Sequence, residues 1–585
     1  MKKKLLLGNE AVARGLYEAG TAVISSYPGT PSTEITEYAA LYNDMYTEWA
    51  PNEKVALEVA IGASIAGKRA FSGMKHVGLN VAADPLYTVS YTGVNGGLVI
   101  GVADDPGMHS SQNEQDSRNH ATGAKVPMLE PASSQECLDY VKLAFELSEQ
   151  FDTPVLLRLS TRISHARSLV DTADRDERGT VAYEKDIQKY VMMPAMARPR
   201  HTAVEQRVVD MAKWAETADI NTIEMHSVEI GVITSGISYQ YAKEALGDGA
   251  SYLKLGMVYP LPTELIREFA SKVKKLYVIE ELDDFIETHC KKIGVNVIGK
   301  DLFPLCGEYC QSLIREKILG VKTETMSLDV PLPPRPPVMC AGCPHRGVFY
   351  AFNRLGVYVS GDIGCYTLGS AAPLAAIDAC ICMGASVSGA HGVSKAVGKM
   401  NGKLPVAVIG DSTFIHSGVT GLINVAYNQA KTVTVILDNS ITGMTGHQQN
   451  PTTGYTITGE PTAAVDLEAL CQAVGIKNIA VTDPYDLPGT LETIKKAVEG
   501  DEASVVISRR PCALLKTVKH KAPLRVDNDK CTGCKVCLRI GCPATSMQAE
   551  SGQNAKMHID PNQCVGCGQC VSLCKFGAII GGEDN

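Results

Sequence analysis

Residues 406–413 read Val-Ala-Val-Ile-Gly-Asp-Ser-Thr, and residues 433–439 read Val-Thr-Val-Ile-Leu-Asp-Asn. Each stretch is a short apolar run that ends in an acidic residue, and a segment of helix length separates the two. Continuous apolar runs of this length are typical of parallel strands that are buried on both faces and joined by crossover helices. Similar runs begin at Val155, Ile230 and Tyr277. The sequence therefore predicts a multidomain α/β fold with parallel sheets flanked by helices.

The composition of the chain narrows the class of protein. It has 585 residues, a formal net charge of −9 and 45% hydrophobic residues, which is ordinary for a globular enzyme. The mildly acidic balance argues against nucleic acid as a partner. The most apolar stretch, residues 374–393, contains Asp378 and His391, which argues against a membrane span. The N-terminus lacks the apolar region of a signal peptide, so we expect a cytoplasmic protein.

Proline-rich and basic segments predict the domain boundaries. Residues 331–337 contain five prolines, which favour an extended connector over a helix. A weaker connector is expected at residues 194–201, and a basic one at residues 516–526. We therefore expect four domains, at residues 1–193, 202–330, 338–515 and 526–585.

Eight of the 19 cysteines form two runs near the C-terminus. The runs are Cys531-x2-Cys534-x2-Cys537-x4-Cys542 and Cys564-x2-Cys567-x2-Cys570-x3-Cys574. Three closely spaced cysteines with a remote fourth are typical of [4Fe-4S] ligation, in which two-cluster ferredoxins exchange the fourth ligand between runs. The expected pairing is Cys531, Cys534 and Cys537 with Cys574, and Cys564, Cys567 and Cys570 with Cys542. Two zinc sites are the alternative, since Cys-x2-Cys pairs also bind zinc.

This block resembles the bacterial dicluster ferredoxin domain over residues 527–580. It departs from that pattern in one place, because four residues rather than three separate Cys537 from Cys542. The extra residue lengthens the loop without removing a ligand. We therefore expect two [4Fe-4S] clusters in this domain.

The acidic and amide groups at the ends of the two opening runs predict a metal site. Asp411 follows the first run, and Asp438 and Asn439 end the second. The carboxyl ends of parallel strands are where open α/β sheets bind ligands, and such oxygen ligands suit Mg2+ that bridges a diphosphate. The alternative is two ordinary turns, because Gly-Asp and Asp-Asn are also turn formers.

The same pair of strand ends resembles the thiamine diphosphate motif, in which Gly-Asp-Gly is followed at a distance by asparagine. Here Ser412 replaces the last glycine, and Asp438 precedes Asn439. The resemblance implies that Asp411, Asn439 and the backbone carbonyl of Ile441 are the magnesium ligands of a thiamine diphosphate site.

Thiamine enzymes also use a carboxylic acid that hydrogen-bonds the aminopyrimidine ring of the cofactor. Residues 52–67 form an alanine- and glycine-rich helix pattern, in which Glu53 lies nine residues before Gly62. This spacing resembles that of the thiamine-binding glutamate in decarboxylases and 2-oxoacid oxidoreductases, so the resemblance gives that role to Glu53. Glu58 in the same helix is the rival candidate, and a solvated surface glutamate is the remaining alternative.

A proline-framed loop precedes this helix. Residues 26–34 read Ser-Tyr-Pro-Gly-Thr-Pro-Ser-Thr-Glu, and the minimal interpretation is a turn in which Thr30 or Ser32 caps a helix. The stretch also resembles the Tyr-Pro-x-Thr-Pro-Ser signature of 2-oxoacid:ferredoxin oxidoreductases, which implies that Thr30 holds a substrate carboxylate. A polar loop with His109 and Arg118 is a further candidate for reaching the active site.

Over its whole length the chain resembles the large (alpha) subunits of the indolepyruvate branch of the 2-oxoacid:ferredoxin oxidoreductase superfamily. Two further stretches carry this resemblance, Glu-Leu-Asp-Asp-Phe-Ile at 281–286 and Cys-Ala-Gly-Cys-Pro-His at 340–345. The resemblance implies a thiamine-diphosphate-binding fold with a C-terminal dicluster ferredoxin domain. Its four parts are a pyrimidine-type domain with the substrate loop at 1–193, a transketolase C-terminal-like domain at 202–330, a pyrophosphate-type domain at 338–515 and the ferredoxin domain at 526–585.

Four more cysteines match the proximal [4Fe-4S] cluster that lies next to thiamine in this family. They are Cys340 and Cys343 in a Cys-x2-Cys pair, Cys365 after Asp-Ile-Gly, and Cys512 after proline. The resemblance therefore implies a third cluster near thiamine. The alternative is four free or buried thiols.

The resemblance implies an enzyme, an indolepyruvate:ferredoxin oxidoreductase that acylates coenzyme A. Thiamine diphosphate would decarboxylate aryl pyruvates, and the [4Fe-4S] clusters would carry the electrons to an external ferredoxin. A smaller beta subunit is the expected partner, in a dimer of alpha–beta pairs, with neither nucleic acid nor membrane. The alternatives are a pyruvate-type enzyme of the same superfamily, a non-oxidative thiamine diphosphate decarboxylase and a non-catalytic electron-transfer adapter.

Overall fold

The computed structural model describes residues 2–324, 326, 329–333, 335–549 and 554–581. The chain divides into two units between Asp329 and Val330, immediately before the proline-rich segment. We call the residues up to Asp329 unit 1 and the residues from Val330 unit 2.

Unit 1 alternates strands and helices along most of its length. Its strands are β1 (Lys2–Leu7), β2 (Val23–Ser26), β3 (Tyr46–Trp49), β4 (Ala70–Lys75), β5 (Leu98–Asp104), β6 (Met128–Leu129), β7 (Val155–Ser160), β8 (Arg167–Thr172), β9 (Thr222–Glu224), β10 (Ile230–Ser235), β11 (Ser251–Leu255), β12 (Met257–Tyr259) and β13 (Lys275–Ile279). Its α-helices are α1 (Gly8–Glu18), α2 (Thr33–Ala39), α3 (Glu53–Ile65), α4 (His76–Val81), α5 (Ala83–Thr92), α6 (Arg118–Ala124), α7 (Ser134–Phe151), α8 (Thr161–His165), α9 (Ile187–Tyr190), α10 (Pro194–Ala215), α11 (Gly236–Leu246), α12 (Thr263–Ser271), α13 (Phe285–Lys292) and α14 (Gln311–Leu319).

The main sheet of unit 1 has seven strands in the order β12, β6, β7, β5, β4, β2, β3. Strands β2 to β7 are parallel, and β12 joins the edge in the antiparallel direction. Hydrophobic clusters cover both faces, so β5 and β7 are buried along their whole length. Parallel strands bring their carboxyl ends to one edge of a sheet. The residues that follow β2, β3, β4 and β5 therefore meet at that edge.

A second sheet in unit 1 has the order β13, β10, β11, β9. Strands β10, β11 and β13 are parallel, and β9 is antiparallel. The apolar runs at Ile230 and Tyr277 lie in β10 and β13, as the sequence predicts. Strand β12 belongs to the same stretch of chain but pairs with β6 of the main sheet, so residues beyond 202 contribute to both sheets.

The prediction of a connector at residues 194–201 is wrong, because these residues form the N-terminal part of α10. Pro194 occupies the first helical position, where a missing N–H removes no intrahelical hydrogen bond and the fixed φ angle suits the helix. Pro199 lies inside the helix. The irregular segment of this region is instead residues 173–186, which follow β8 and have no regular secondary structure.

Unit 2 continues the same alternation and ends in an irregular region. Its strands are β14 (Val359–Gly361), β15 (Ala379–Cys380), β16 (Val406–Gly410), β17 (Val433–Asp438), β18 (Asn478–Thr482), β19 (Ser504–Arg509), β20 (Arg525–Val526), β21 (Thr545–Gln548), β22 (Lys556–Ile559) and β23 (Ile579–Ile580). Its α-helices are α15 (His345–Leu355), α16 (Ala385–Val397), α17 (Asp411–Thr413), α18 (Val419–Tyr427), α19 (Leu467–Ala473) and α20 (Leu487–Glu499), and a π-helical turn at Phe414–Gly418 joins α17 to α18.

The main sheet of unit 2 is parallel throughout, in the order β15, β14, β16, β17, β19, β18. The two opening runs of the sequence form β16 and β17 in its centre. Val406 and Val408 belong to the hydrophobic cluster on one face, and Ala407 and Ile409 belong to the cluster on the other. Burial on both faces explains why these runs are apolar at every position. The predicted α/β class with parallel sheets flanked by helices is confirmed.

The C-terminal region packs on the rest of unit 2. Strand β20 pairs with β23 and β21 with β22, both antiparallel. Ile540, Met557 and Ile559 form a small hydrophobic cluster that includes Leu487 of α20. In the basic segment before β20, the Lys521 N–H donates to Val565 O at 3.3 Å, so this connector lies against the cysteine-rich region. Across the described part of the chain, no helix combines the length and the apolar character that a membrane span requires.

A buried ionic network holds the two sheets of unit 1 together. Arg118, at the start of α6, is completely buried and donates from Nη1 to Glu280 Oε2 at 2.6 Å, directly after β13. Its Nε and Nη2 donate to the Asp116 carboxylate at 2.9 and 2.5 Å. Arg118 is therefore an interior structural residue. His109, the other polar candidate of this loop, is half-exposed and contacts the Glu308 carboxylate.

We expect Arg118→Met to destabilise the protein strongly, because it removes the cation that donates to both buried carboxylates, Asp116 and Glu280. The free energy of unfolding should fall by about 3–5 kcal/mol, measured by urea denaturation of the full chain under anaerobic conditions. Arg162→Met is the matched control, since Arg162 is 55% exposed and pairs with Glu308 at 2.6 Å; its cost should stay below about 1 kcal/mol. Equal unfolding midpoints for the two variants would contradict the structural role.

Candidate functional site

Four polar side chains follow neighbouring parallel strands of the main sheet of unit 1. Thr30 lies in the loop after β2, Glu53 begins α3 after β3, Lys75 ends β4 and Asp105 follows β5. Because these strands are parallel, the four residues share one edge of the sheet. The structure thus brings together Thr30 and Glu53, which the sequence predicts as site residues. It adds Lys75 and Asp105, which the sequence analysis missed.

Glu53 and Glu58 lie on the same helix in very different surroundings. Glu53 is only 4% exposed, and its carboxylate packs against Gly78, where a Cβ atom would lie 2.6 Å from Glu53 Oε1. Asn52 caps the helix by accepting the Val55 N–H at 2.9 Å. Glu58 has a side chain that is 45% exposed and forms a surface pair with Lys54. The surface-glutamate interpretation therefore describes Glu58, and Glu53 is the buried carboxylate at the sheet edge.

Side-chain hydroxyls hold the loop around Thr30 by donating hydrogen bonds to its backbone oxygens. The Ser32 hydroxyl donates to Gly29 O at 2.8 Å, and the Ser110 hydroxyl donates to Thr30 O at 3.2 Å. Ser32 precedes α2 but makes no side-chain cap to it, so the helix-capping interpretation is wrong for this residue. Neither of these bonds uses the Thr30 hydroxyl.

Lys75 lies between the loop and Glu53. Its aliphatic stem packs on Gly29, where a Cβ atom would lie 3.3 Å from Lys75 Cγ, and its Nζ donates to Ser110 O at 3.1 Å. Burial lowers the pKa of Lys75 to about 8, although the nearby carboxylates of Asp105 and Glu53 favour the charged form. The sequence signal for this residue is a polar group directly after a buried apolar strand, the same signal that marks Asp411.

Asp105 is tied to the surrounding loops. Its carboxylate accepts the Ser111 hydroxyl at 2.7 Å and the Thr161 hydroxyl at 2.6 Å, and it accepts the Ser110 N–H at 2.8 Å. These bonds fix the loop after β5 beneath the Lys75 ammonium group. Asp105 therefore orders this side of the edge and supplies a nearby negative charge for Lys75.

In unit 2, the predicted magnesium ligands converge at the ends of β16 and β17. The Asn439 amide oxygen lies 2.9 Å from Ile441 O and 3.3 Å from Asp411 Oδ1. If only hydrogen bonds within the protein mattered, the amide nitrogen of Asn439 rather than its oxygen would face these two acceptors. Three oxygens that face one another are the arrangement that a cation stabilises. Burial and the neighbouring Asp438 raise the pKa of Asp411 to about 7. The donor set fits Mg2+.

Ser412, which replaces glycine in the expected motif, has a structural use. Its hydroxyl accepts the Thr442 hydroxyl at 3.0 Å, which links the start of α17 to the loop that carries Ile441. The Ser412 N–H also donates to Asp411 Oδ1 at 2.7 Å. The departure from the motif therefore leaves the oxygen donors in place.

The eight C-terminal cysteines form two separate sets. One cavity is lined by Cys531, Cys534, Cys537 and Cys574, and a second is lined by Cys542, Cys564, Cys567 and Cys570. Each set thus contains one cysteine of the other run, as in the expected crossed pairing. Among the described residues, no three His, Cys, Asp or Glu side chains converge tightly enough to share one ion. In a [4Fe-4S] cubane each thiolate binds a different iron.

Backbone N–H groups surround the sulfurs of these sets. The Leu524 N–H donates to Cys564 Sγ at 3.3 Å, the Ala578 N–H to Cys574 Sγ at 3.3 Å and the Met557 N–H to Cys531 Sγ at 3.5 Å. Such hydrogen bonds stabilise thiolates and tune the potential of a bound cluster.

Cys340, Cys343, Cys365 and Cys512 form a third set, next to the candidate magnesium site. Burial raises the pKa of the Cys365 thiol to about 11, and the negative charges of Cys512 and Cys340 contribute. A Cβ atom at position 443 would lie 3.5 Å from Cys365 Sγ and 3.8 Å from Asn439 Nδ2. The Cys512 N–H donates to Asn439 O at 2.9 Å. This cysteine set and the oxygen donors therefore share one wall.

Comparison with known proteins agrees with these groupings. The profile described as pyruvate flavodoxin/ferredoxin oxidoreductase, thiamine diP-bdg, matches residues 14–231. The profile for the C-terminal TPP binding domain of thiamine pyrophosphate enzymes matches residues 362–508, and a 4Fe-4S dicluster domain matches residues 530–578. The zinc alternative for the C-terminal cysteines is thereby wrong.

Full-length relatives decide the family. Indolepyruvate oxidoreductase subunit IorA of Archaeoglobus fulgidus is 42% identical, covering 100% of this chain and 98% of the relative. The protein of the same name from Pyrococcus horikoshii is also 42% identical, covering 99% of this chain and 96% of the relative. The chain belongs to the indolepyruvate oxidoreductase subunit IorA family. As an IorA family member it is an oxidoreductase subunit that binds thiamine diphosphate and iron–sulfur clusters, which excludes the non-catalytic adapter.

This IorA family chain resembles a solved structure in part. That structure is the 2-oxoglutarate:ferredoxin oxidoreductase from Magnetococcus marinus with 2-oxoglutarate, coenzyme A and succinyl-CoA bound. The match has a TM-score of 0.47 at 17% identity and covers 54% of this chain and 65% of that chain.

Proposed function

We propose that this chain is the catalytic large subunit of an indolepyruvate:ferredoxin oxidoreductase. The enzyme decarboxylates aryl pyruvates oxidatively, transfers the acyl group to coenzyme A and passes the electrons through [4Fe-4S] clusters to an external ferredoxin. The observation that carries the proposal is the contact between Cys512, Cys365 and the Asn439 loop. An electron acceptor held by these cysteines lies beside the diphosphate site, where the substrate-derived electrons appear. The names of the full-length relatives support the aryl substrate.

Each unit carries residues for a different part of the cofactor. Asp411, Asn439 and the Ile441 carbonyl would hold Mg2+, which would neutralise the diphosphate of the cofactor. The buried Glu53 carboxyl group hydrogen-bonds the aminopyrimidine ring, and its exclusion from water keeps that bond strong. When bound, thiamine diphosphate supplies the electron sink that accepts the bonding electrons as carbon dioxide leaves. We assign the pyrimidine-type role to residues 1–193 and the pyrophosphate-type role to residues 338–515.

The substrate carboxylate is bound at the edge of the unit 1 sheet. Among the described residues, the hydrogen bonds that hold the loop do not use the Thr30 hydroxyl, and the aliphatic stem of Lys75 packs on Gly29 of the same loop. A hydroxyl and a largely buried ammonium group together suit a carboxylate, because a charge-assisted hydrogen bond is strong where water is excluded. Thr30 and Lys75 therefore orient the 2-oxoacid, and Asp105 holds the lysine in place.

The electrons leave through the cysteine sets of unit 2. Cys340, Cys343, Cys365 and Cys512 hold the first cluster, and the two C-terminal sets hold the next two. A smaller beta subunit completes the enzyme in the cytoplasm, in a dimer of alpha–beta pairs. Aryl pyruvates rather than pyruvate are the preferred substrates.

The test is anaerobic viologen reduction by the complete enzyme with both subunits, coenzyme A and either indolepyruvate or pyruvate. We expect indolepyruvate to be used with the higher kcat/KM. Glu53→Gln should lower kcat by about 10²- to 10⁴-fold, because it removes a proton-transferring group. Glu58→Gln is the matched control and should keep wild-type activity. Better turnover of pyruvate would overturn the substrate assignment, and full activity of Glu53→Gln would overturn the thiamine assignment.

The role of Lys75 predicts a specific pH dependence. Its pKa of about 8 means that the ammonium group is charged below pH 8 and loses its proton above it. The value of kcat/KM for the 2-oxoacid should therefore fall above pH 8, by up to about tenfold per pH unit. Lys75→Met should have a low kcat/KM without this alkaline decline. The exposed Lys54 provides the control, Lys54→Met, which should follow the wild-type profile. An unchanged profile in Lys75→Met would contradict substrate binding by this lysine.

Iron content tests the third cluster. The reconstituted wild-type chain should contain about twelve iron atoms, four in each of three clusters. The double variant Cys365→Ser/Cys512→Ser should retain about eight, with the spectra of the C-terminal clusters intact. Cys382→Ser is the control, because Cys382 is exposed and belongs to none of the three sets. Eight iron atoms in the wild type would remove the third cluster from the proposal.

A further inference from the structure

Arg346 is a buried cation that contacts two cysteine-bearing loops. It lies at the start of α15 and is only 3% exposed. On one side, its Nε and Nη2 donate to Cys340 O at 3.2 Å, and Nη2 also donates to Met339 O. On the other side, Nη1 donates to Ile540 O at 3.2 Å and to Gly541 O. The guanidinium group thus spans the loop of the third cysteine set and the loop that precedes Cys542.

Among the described residues, Arg346 donates all its hydrogen bonds to backbone carbonyls. A typical buried arginine instead donates to a carboxylate, which balances its positive charge. Burial lowers the pKa of Arg346, and nearby cysteines oppose this shift. They are Cys343, Cys542, Cys340 and Cys567. Two of these cysteines are in the third set, and two are in the set around Cys542.

The two cysteine sets share a wall of which Arg346 is a part. The cavity lined by the Cys542 set is also lined by Ala341, Gly342 and Arg346. A Cβ atom at position 342 would lie 2.2 Å from Val565 Cγ2, so these loops are in direct contact. The Gln569 amide donates to Cys343 O at 3.3 Å from the other side of this wall.

The extra residue before Cys542 forms the receptor for the guanidinium group. The four residues between Cys537 and Cys542 include Ile540 and Gly541, whose carbonyls accept from Arg346. Gly541 has φ +69°, and a Cβ atom there would lie 3.2 Å from Arg346 Nη1. The departure from the usual ferredoxin spacing therefore coincides with the arginine contact.

We propose that Arg346 is the positioning residue that couples the third cluster to the cluster of the Cys542 set. Its guanidinium group fixes the separation of the two loops, and its charge raises the reduction potentials of both clusters. This inference deepens the proposed function, because it rests on the third cluster. In the step concerned, one electron leaves the reduced third cluster and enters the oxidised Cys542 cluster, and no proton moves.

The direction of the effect follows from electrostatics. Reduction adds one negative charge to a [4Fe-4S] cluster, so a nearby fixed cation favours the reduced form. The interaction is strong because the guanidinium group is shielded from water. Arginine suits this place because its planar group donates to carbonyls on both sides.

The test measures the potential of each cluster in the complete two-subunit enzyme by redox titration monitored by electron paramagnetic resonance. Arg346→Gln should shift the potentials of the third cluster and the Cys542 cluster to more negative values, and leave the Cys531 cluster unchanged. Arg346→Lys, which keeps the charge, should stay close to wild type. The matched control is Tyr485→Phe, which removes a neutral hydrogen bond of 2.5 Å from Tyr485 to Gly342 O in the same loop. It should leave all three potentials unchanged.

Unchanged potentials in Arg346→Gln with full iron content would overturn the inference, as would an equal shift in Tyr485→Phe. If Arg346→Gln fails to assemble its clusters, the cluster potentials of Arg346→Lys are the test. Wild-type potentials in Arg346→Lys would support the role of the charge, and shifted potentials would contradict it. Eight iron atoms in the wild type would instead count against the third cluster of the proposed function. In that case the reduction potential of the Cys542 cluster in Arg346→Gln would show whether the charge of Arg346 acts on this cluster.

Discussion

Parallel strands bring their carboxyl ends to one edge of a sheet, and the candidate chemistry of both units depends on this constraint. In unit 1, Thr30, Glu53 and Lys75 come from three different strand ends that are far apart in the sequence. In unit 2, Asp411 and Asn439 follow two adjacent strands in the same way. The central strands are buried on both faces, and these candidate site residues lie at or just beyond the ends of strands. The cores of the two sheets therefore determine where their reactive groups lie.

Buried charge is managed in two different ways in this chain. Arg118 is neutralised by the Asp116 and Glu280 carboxylates, which makes it part of the interior of unit 1. Arg346 is held by backbone carbonyls and lies among the cysteines of two sets. The first arrangement serves stability, because charge and countercharge both belong to the folded protein. The second leaves the positive charge available to groups that the cysteines bind.

The features that sequence reasoning predicted are those with a local or strictly periodic signal. Strands β16 and β17 were predictable because burial on both faces makes every position apolar, and the cysteine sets were predictable from their spacing. The segment at 194–201 was misread, since proline at the first position of α10 stabilises a helix rather than a connector. Lys75 was missed because a single lysine has no spacing signal, and its surroundings come from loops distant in sequence. The contact of Arg346 with Gly541 likewise joins residues that are far apart along the chain.

The four-residue spacer before Cys542 limits how far the C-terminal region can be treated as an exchangeable module. An ordinary dicluster ferredoxin with the shorter spacer has one residue fewer in the segment whose carbonyls at Ile540 and Gly541 accept from Arg346. Grafting such a domain onto this chain would leave a desolvated guanidinium group with donors that lack acceptors. The spacer and the arginine have therefore to be inherited together, and evolution of either one constrains the other.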